Sequence, residues 1–529
     1  MAETMEPSPG GSTADDQSEV IGFLSEASSY PHAPQRVDRR ETHGAIVFLA
    51  GNEAWKIKRA VRFPYMDFST LERRRRALEH ELAINRPLAP DIYLSLVAIK
   101  KSATGALSVE SGGTPVEWAL RMTRFDERDL LSERVKTSGL DALLCRDLAD
   151  AVFEMHAKAP RAGEADTPGQ MRAIAGQVTA ALQSAHAELD ASAILRFAGR
   201  SEEEIAANRD ILVRRDLAGC VRRCHGDLHL GNIVLWKEKP VLFDAIEFDD
   251  RIATIDVLYD LAFLIMDLEH RGLRPAANIV LNRWLWRSES LLDLAGLAAL
   301  PLFMSLRAGV RAMVAAERAE QVDGEGGKRT ISEARTYLAT ALALLSPEKP
   351  MALAVGGLSG TGKSTLAAAL APHIGRAPGA VHLRSDLERK ALFNAGETER
   401  LGPDAYGHDA SRRVYDTLLE KAGAALRSGQ SVITDAVYAR TNERDAIEDV
   451  AKGCGVPFTG LWLEAPSETL MQRVEERRND ASDATRAVVA GQLGYDIGSI
   501  GWARLSSGGS PAETLAAATA LIVKRQSKP

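Results

Sequence analysis

Gly357-Leu358-Ser359-Gly360-Thr361-Gly362-Lys363-Ser364 fits the pattern G-x4-G-K-[ST] at every required position. An apolar run, Ala352 to Val355, precedes it and a helical run, Thr365 to Leu370, follows, which is the setting the pattern demands. The glycines let successive backbone N–H groups curl around a phosphate chain, and the helix N-terminus adds the positive end of its dipole. This reading gives the phosphate cradle to Gly357, Ser359, Gly360, Thr361, Gly362 and Thr365. Lys363 reaches the β- and γ-phosphates and the Ser364 hydroxyl ligates Mg²⁺.

The chain beyond the loop adds two carboxylates. Val381 to Arg384 reads as a second strand ending at Ser385-Asp386, and Ser431 to Thr434 as a third ending at Asp435. Ligands of an open parallel sheet bind beyond the strand C-termini, so both aspartates are expected to face the loop. Asp386 is assigned as the base for an attacking hydroxyl and Asp435 as support for the metal. A fourth strand at Leu461 to Leu463 leads to Arg473, Arg477 and Arg478, an arginine-bearing segment able to cover the phosphates. Arg477 is the candidate that neutralises charge on the moving phosphoryl group. Upstream, Ser346-Pro347-Glu348-Lys349-Pro350 breaks the pattern and marks a boundary.

The segment from about 351 to 525 resembles the small P-loop kinases grouped with gluconate kinase, adenylylsulfate kinase, zeta toxins and polynucleotide kinase. That implies a P-loop NTPase fold with an open parallel sheet flanked by helices. Asp386 and Arg389 are similar to the D-x-x-R of polynucleotide kinase, which implies that Arg389 grips a phosphate on the acceptor.

A second signature lies upstream, in Cys224-His225-Gly226-Asp227-Leu228-His229-Leu230-Gly231-Asn232-Ile233 followed by Val241-Leu242-Phe243-Asp244. It places a carboxylate on a tight loop, an amide five residues on and a second carboxylate after a hairpin. Asp227 orients or deprotonates an acceptor hydroxyl, while Asn232 and Asp244 hold Mg²⁺ at the phosphates. Cys220, Cys224, His225 and His229 lack the long separation between ligand pairs that zinc sites show, so reduced thiols are expected.

This stretch resembles the catalytic loop and metal-binding segment of the aminoglycoside phosphotransferase family. The match is close over residues 220–265 and looser over roughly 20–345. It implies a bilobal protein-kinase-like fold. It also implies that Lys56, in Ala54-Trp55-Lys56-Ile57-Lys58, pairs the phosphates and that Glu81 is its helical partner. Lys58 shares the strand face by alternation, and Glu79 is the alternative to Glu81. No G-x-G-x-x-G precedes Lys56. Taken whole, the chain resembles bacterial fusions of an aminoglycoside phosphotransferase-like part with a P-loop part.

Composition sets the outer limits. The 529 residues suffice for two to four domains, and 26% charged with 45% hydrophobic residues describes a globular chain; the two resemblances together imply a fold of α/β and α+β class. The expected division is a flexible tail over 1–18, a kinase-like domain over 19–346 and a P-loop domain over 347–529. Net charge is −7, and residues from Pro347 on carry 22 basic and 22 acidic side chains, leaving 43 against 50 before it. That balance weighs against a nucleic-acid partner. No stretch of 18 uncharged apolar residues occurs, and the acidic N-terminus lacks signal-peptide features, so a cytoplasmic protein without a membrane partner is expected. Arg307 and Arg311, spaced i, i+4, read as an ordinary helix surface or as a clamp for an anion.

The leading expectation is an ATP- and Mg²⁺-dependent phosphotransferase with two kinase sites, each acting on a hydroxyl of a small molecule. Alternatives are a nucleotide sensor regulating its neighbour, or a P-loop kinase acting on nucleic-acid ends or on protein.

Overall fold

Alternation along one strand sets the geometry of the first half of the molecule. In Glu53–Lys58, Trp55 and Ile57 are buried with Leu24, Phe48 and Val97, while Lys56 and Lys58 fall on the opposite face. The computed structural model describes residues 16–42, 44–63, 66–185, 189–319, 324–478 and 480–526. Most of the predicted tail lies outside the described residues. Gln17, near its end, is tied into the fold, donating from Nε2 to the Lys58 carbonyl and to Glu117 at 2.8 Å.

The chain divides into two compact units. One comprises residues up to Leu140 with Glu154–Ala162 and Arg222–Ile255; the other comprises Asp141–Phe153, Gly163–Val221 and the chain from Asp256 on. The first unit holds β1 (Val37–Glu41), β2 (Ala45–Ala50), β3 (Glu53–Lys58), β4 (Tyr93–Lys101), β5 (Leu107–Val109) and β6 (Thr114–Thr123). They form an antiparallel sheet in the order β1-β2-β3-β6-β4-β5. The predicted hairpin is β2–β3, turning at Gly51-Asn52.

Helix α1 (Leu71–Asn85) starts at Thr70, whose hydroxyl accepts from the Arg73 N–H, and lies against β4 and β6. Its buried stripe is Arg74, Leu78, Glu81 and Asn85, helical in period but mostly polar. Arg74 Nε donates to Glu117 of β6 at 2.9 Å with both side chains buried, which fixes the helix on the sheet. The same unit carries the short hairpin β7 (Ile233–Trp236) and β8 (Lys239–Leu242), the one expected behind the Asp227 loop.

The second unit combines helices with a second sheet. α2 (Ala142–Lys158) enters it through residues up to Phe153, followed by α3 (Val257–His270), α4 (Arg274–Ser288) and α5 (Leu300–Ala319). The run Leu291–Ala319 is long and apolar enough to cross a membrane by composition, but 78% of its most apolar window is buried in the protein. Arg307 accordingly departs from the surface reading. It is buried, donates from Nε to the Tyr259 carbonyl at 3.2 Å and lies over the Tyr259 and Phe263 rings at 3.9 and 4.8 Å. A core helix leaves this arginine no surface to occupy. Nearby, the fully buried Arg215 is balanced by Asp256 at 2.7 and 2.8 Å and by Asp293 at 2.8 Å.

The second sheet contains β9 (Ala352–Gly356), β10 (Val381–Arg384), β11 (Val432–Asp435), β12 (Phe458–Glu464) and β13 (Ala503–Ser506). All neighbours are parallel, in the order β10-β11-β9-β12-β13. Three helices matter to its site: α6 (Lys363–Leu370), α7 (Ser385–Leu392) and α8 (Ser467–Glu476).

The outer edge at β10 is sealed by one face of α4. Arg274 donates to the Gly375 carbonyl at 2.6 Å and Asn278 to that of Ala380 at 3.0 Å. Asn282 accepts from the His382 N–H at 2.7 Å, and the Trp286 indole donates to the Leu387 carbonyl at 3.2 Å. The spacing of four throughout keeps these side chains on one helix face.

Candidate active sites

The first site is built on the lysine face of β3. Lys56 Nζ lies 2.7 Å from Glu81 Oε1 and 3.3 Å from Asp244 Oδ1. Lys58 Nζ lies 2.7 Å from Glu81 Oε2 and 2.5 Å from Glu247 Oε1. Glu81 therefore joins both lysines, whereas Glu79 is exposed and pairs with Arg75 at 3.0 Å. Burial opposes the Glu81 charge, but Lys56 and Lys58 outweigh it and hold the carboxyl down to about 2. Burial likewise opposes the Lys56 charge, yet Asp244 and Glu81 raise it well above the ordinary lysine range.

A depressed carboxyl contributes stability above its unfolded value of about 4.5 and loses it as pH falls toward 2. Glu81→Gln is therefore expected to lower Tm at neutral pH and to flatten the decline of Tm between about pH 5 and pH 3. Parallel Tm–pH curves for wild type and variant would contradict the pairing.

The loop carries the other groups. Gly226 has φ +84°, and a Cβ there would meet Ala253 and Ile246 at 3.0 Å, which reserves the turn for glycine. Asn232 Nδ2 donates to the Asp227 carbonyl and to its Oδ2, both at 2.9 Å, so the amide fixes the carboxylate. His229 Nε2 stands 3.4 Å from Asp227 Oδ2. His229 Nδ1 accepts from the Gly231 N–H at 3.0 Å, and His225 Nε2 bonds the Phe243 carbonyl at 2.9 Å. These histidines hold the loop, and all four cysteines are free thiols.

Asp244 has φ +59°, a costly conformation for an aspartate, with its N–H donated to the Tyr93 hydroxyl at 3.1 Å. Asn85 locks the next residue, accepting from the Ala245 N–H at 2.8 Å. The motifs assign no role to Asn85 or Glu247; their place beside Glu81 and Lys58 shows what they do.

The second site lies at the C-terminal end of β9. Gly357 and Gly360 have φ of +139° and +87°, and a Cβ would meet the Leu463 and Leu470 carbonyls at 2.7 and 2.6 Å. Within the loop, Thr361 Oγ1 donates to the Leu358 carbonyl at 2.8 Å and Lys363 Nζ to the same oxygen at 3.1 Å. The Ser359 N–H donates to Gln492 Oε1 at 2.8 Å. Gly362 caps α6, and Thr365 is exposed in its first turn.

Ser364 Oγ donates to Asp435 Oδ1 at 3.0 Å, bringing the two expected metal groups together. Asp435 Oδ2 is 2.7 Å from His382 Nε2, and Arg384 Nε is 3.8 Å away. Burial raises the Asp435 pKa, but His382, Arg384 and Lys363 carry it below the ordinary value. Lys363 is lowered by burial, with Asp435 and Asp386 resisting. Asp386 sits in the first turn of α7.

Arg477 Nε lies 3.5 Å from Asp480, which Arg384 approaches at 3.3 Å. Arg389 is buried, donates to the Ala405 carbonyl at 2.5 Å and faces the Tyr406 ring at 4.9 Å. The sequence assigns no role to His382, Arg384, Asp480 or Gln492, although Arg384 ends the strand that leads to Asp386 and Asp480 closely follows Arg477 and Arg478.

A hydroxyl and a carboxylate 3.0 Å apart beside a glycine cradle, and the Asp244 carboxylate 3.3 Å from Lys56, are hard oxygen groups suited to Mg²⁺ and phosphate. Fold and sites together define a kinase-like phosphotransferase fold joined to a P-loop kinase domain. Residues 61–300 match the phosphotransferase enzyme family, and residues 353–495 match an AAA domain family. The chain belongs to the family of the uncharacterized protein Rv2004c of Mycobacterium tuberculosis, with 31% identity over 475 residues, 87% of this chain and 91% of the relative. Among solved structures, a gluconokinase from Sinorhizobium meliloti 1021 covers 34% of this chain and 98% of its own, at 20% identity and TM-score 0.24. A choline/ethanolamine kinase family protein from Mesorhizobium loti covers 62% of this chain and 98% of its own, at 13% identity and TM-score 0.36.

Proposed function

We propose that the protein is a cytoplasmic, ATP-dependent phosphotransferase with two catalytic sites, divided near Pro347, each moving the γ-phosphate to a hydroxyl of a small molecule. The observation that carries this reading is the duplication of a phosphate-handling set: the Lys56–Glu81–Asp244 cluster with the Asp227–Asn232 pair in the first unit, and Lys363–Ser364–Asp435 with Asp386 in the second. A structural role alone does not call for two such sets.

In the first site Asp227 accepts the acceptor's hydroxyl proton, held for that purpose by the Asn232 amide. Lys56, oriented by Glu81, pairs the nucleotide phosphates. In the second, the loop N–H groups and Lys363 hold the phosphate chain, Asp386 takes the proton, and Arg477 meets the charge that develops on the phosphoryl oxygens. In each case an acceptor O–P bond forms, the bond from the γ-phosphorus to the bridging oxygen breaks, and ADP leaves. Asn232 with Asp244, and Ser364 with Asp435, would hold Mg²⁺, which when bound supplies charge neutralisation across the β- and γ-phosphates.

The test is transfer from γ-³²P-labelled ATP into a deproteinised metabolite extract by wild type, Asp227→Ala and Asp386→Ala. Each variant is expected to lose a different subset of labelled products. If both retain the full wild-type pattern, the two-site reading fails.

A further inference from the structure

A cavity of about 300 Å³ opens beside Ser364 in the second unit. His382 and Arg384 of β10 form part of its lining, as do Arg283 and Trp286 of α4 and Arg146 of α2. Helices α2 and α4 lie outside the segment matching the AAA domain family, residues 353–495. Part of the wall is therefore supplied by residues that such a domain does not carry.

Three observations define what the cavity takes. Its size sits at the lower end of ligand pockets, roughly 300–1,000 Å³, which suits a compact metabolite rather than a polymer. Its charge is positive: among the described lining residues, five Arg and Lys side chains face three carboxylates. Lys421 is matched by Glu388 at 2.6 Å, Arg283 by Asp150 at 2.7 Å and Glu397 at 2.6 Å, and one terminal nitrogen of Arg384 by Asp480 at 3.3 Å. Arg146 meets Glu397 only at 3.8 Å, on a carboxylate already committed to Arg283. Finally, the buried Arg384 Nε has no hydrogen-bond partner among the described residues, since Asp435 Oδ2 at 3.8 Å is out of reach. A buried guanidinium N–H without an acceptor is costly, and an anionic oxygen entering the cavity would relieve it.

We propose that this cavity is the acceptor pocket of the P-loop site and that it takes a small hydroxylated anion. Arg146 and Arg384 hold the anionic group, and Trp286, fixed by its bond to the Leu387 carbonyl, supplies a flat apolar wall for the carbon skeleton. Acceptor choice at the P-loop site is then set in part by α2 and α4. The proposal rests on the phosphotransferase reading of the Lys363–Ser364–Asp435 set.

The test uses the full-length chain saturated with Mg²⁺ and the non-hydrolysable analogue AMP-PNP, with ³⁵S-labelled inorganic sulfate as probe in equilibrium dialysis at constant ionic strength. The expected result is saturable sulfate binding, weakened about tenfold in Arg146→Gln and further in Arg146→Glu, as loss of one charged hydrogen bond implies. Arg146 is partly exposed, so an unchanged Tm and an AMP-PNP affinity within twofold of wild type verify that the variants fold. Absence of saturable sulfate, or equal binding by wild type and both variants, overturns the proposal. Failure of the underlying reading looks different: AMP-PNP stoichiometry would be the same for wild type and Lys363→Ala.

Discussion

Asp227→Ala is expected to lower transfer at the first site by about two to four orders of magnitude, the usual contribution of a positioned general base. The carboxylate has no substitute in place, because Asn232 is spent in holding it and His229 bonds the Gly231 N–H through Nδ1. Nucleotide affinity should stay within a few fold of wild type, since Lys56, Glu81 and Asp244 form their own cluster. The measurement is single-turnover transfer from labelled ATP in a Lys363→Ala background, which silences the second site. A fall of less than tenfold, or a matching loss of nucleotide binding, would remove Asp227 from the role of base.

Lys363→Ala is expected to have an effect of similar size at the other site, about 10²–10³ in rate, with weaker nucleotide binding besides. Lys363 is the cation between the loop and the two aspartates, and both Asp435 and Asp386 act to keep it charged against burial. Its removal takes away the group proposed to meet the β- and γ-phosphates and leaves Asp435 with less compensation. The reaction is followed as ADP formation in an Asp227→Ala background. Retention of more than a tenth of the rate would mean that the loop binds nucleotide without activating it.

What could be read from the sequence depended on whether the chemistry imposed a backbone. Gly357 and Gly360 of the phosphate loop are forced by contacts a Cβ would violate and Gly362 by its φ of +86°, so pattern and spacing suffice there. Alternation placed Lys56 and Lys58 on one face, yet only the fold shows Glu81 shared between them. The choice between Glu79 and Glu81 turned on the phase of α1. Its buried stripe of Arg74, Leu78, Glu81 and Asn85 is mostly polar, so hydrophobic periodicity could not supply that phase. His382 and Gln492 act through partners 53 and 133 residues away, where local spacing carries no information.

The row of side chains that α4 lays along β10 bears on how such a protein could have been assembled. A chain beginning at Pro347 would expose the Gly375 and Ala380 carbonyls and the His382 N–H, a bare sheet margin open to strand addition by another copy. Separation at Pro347 would therefore yield an aggregation-prone fragment. A version of the P-loop part that stands alone would have to carry α4 along with the sheet.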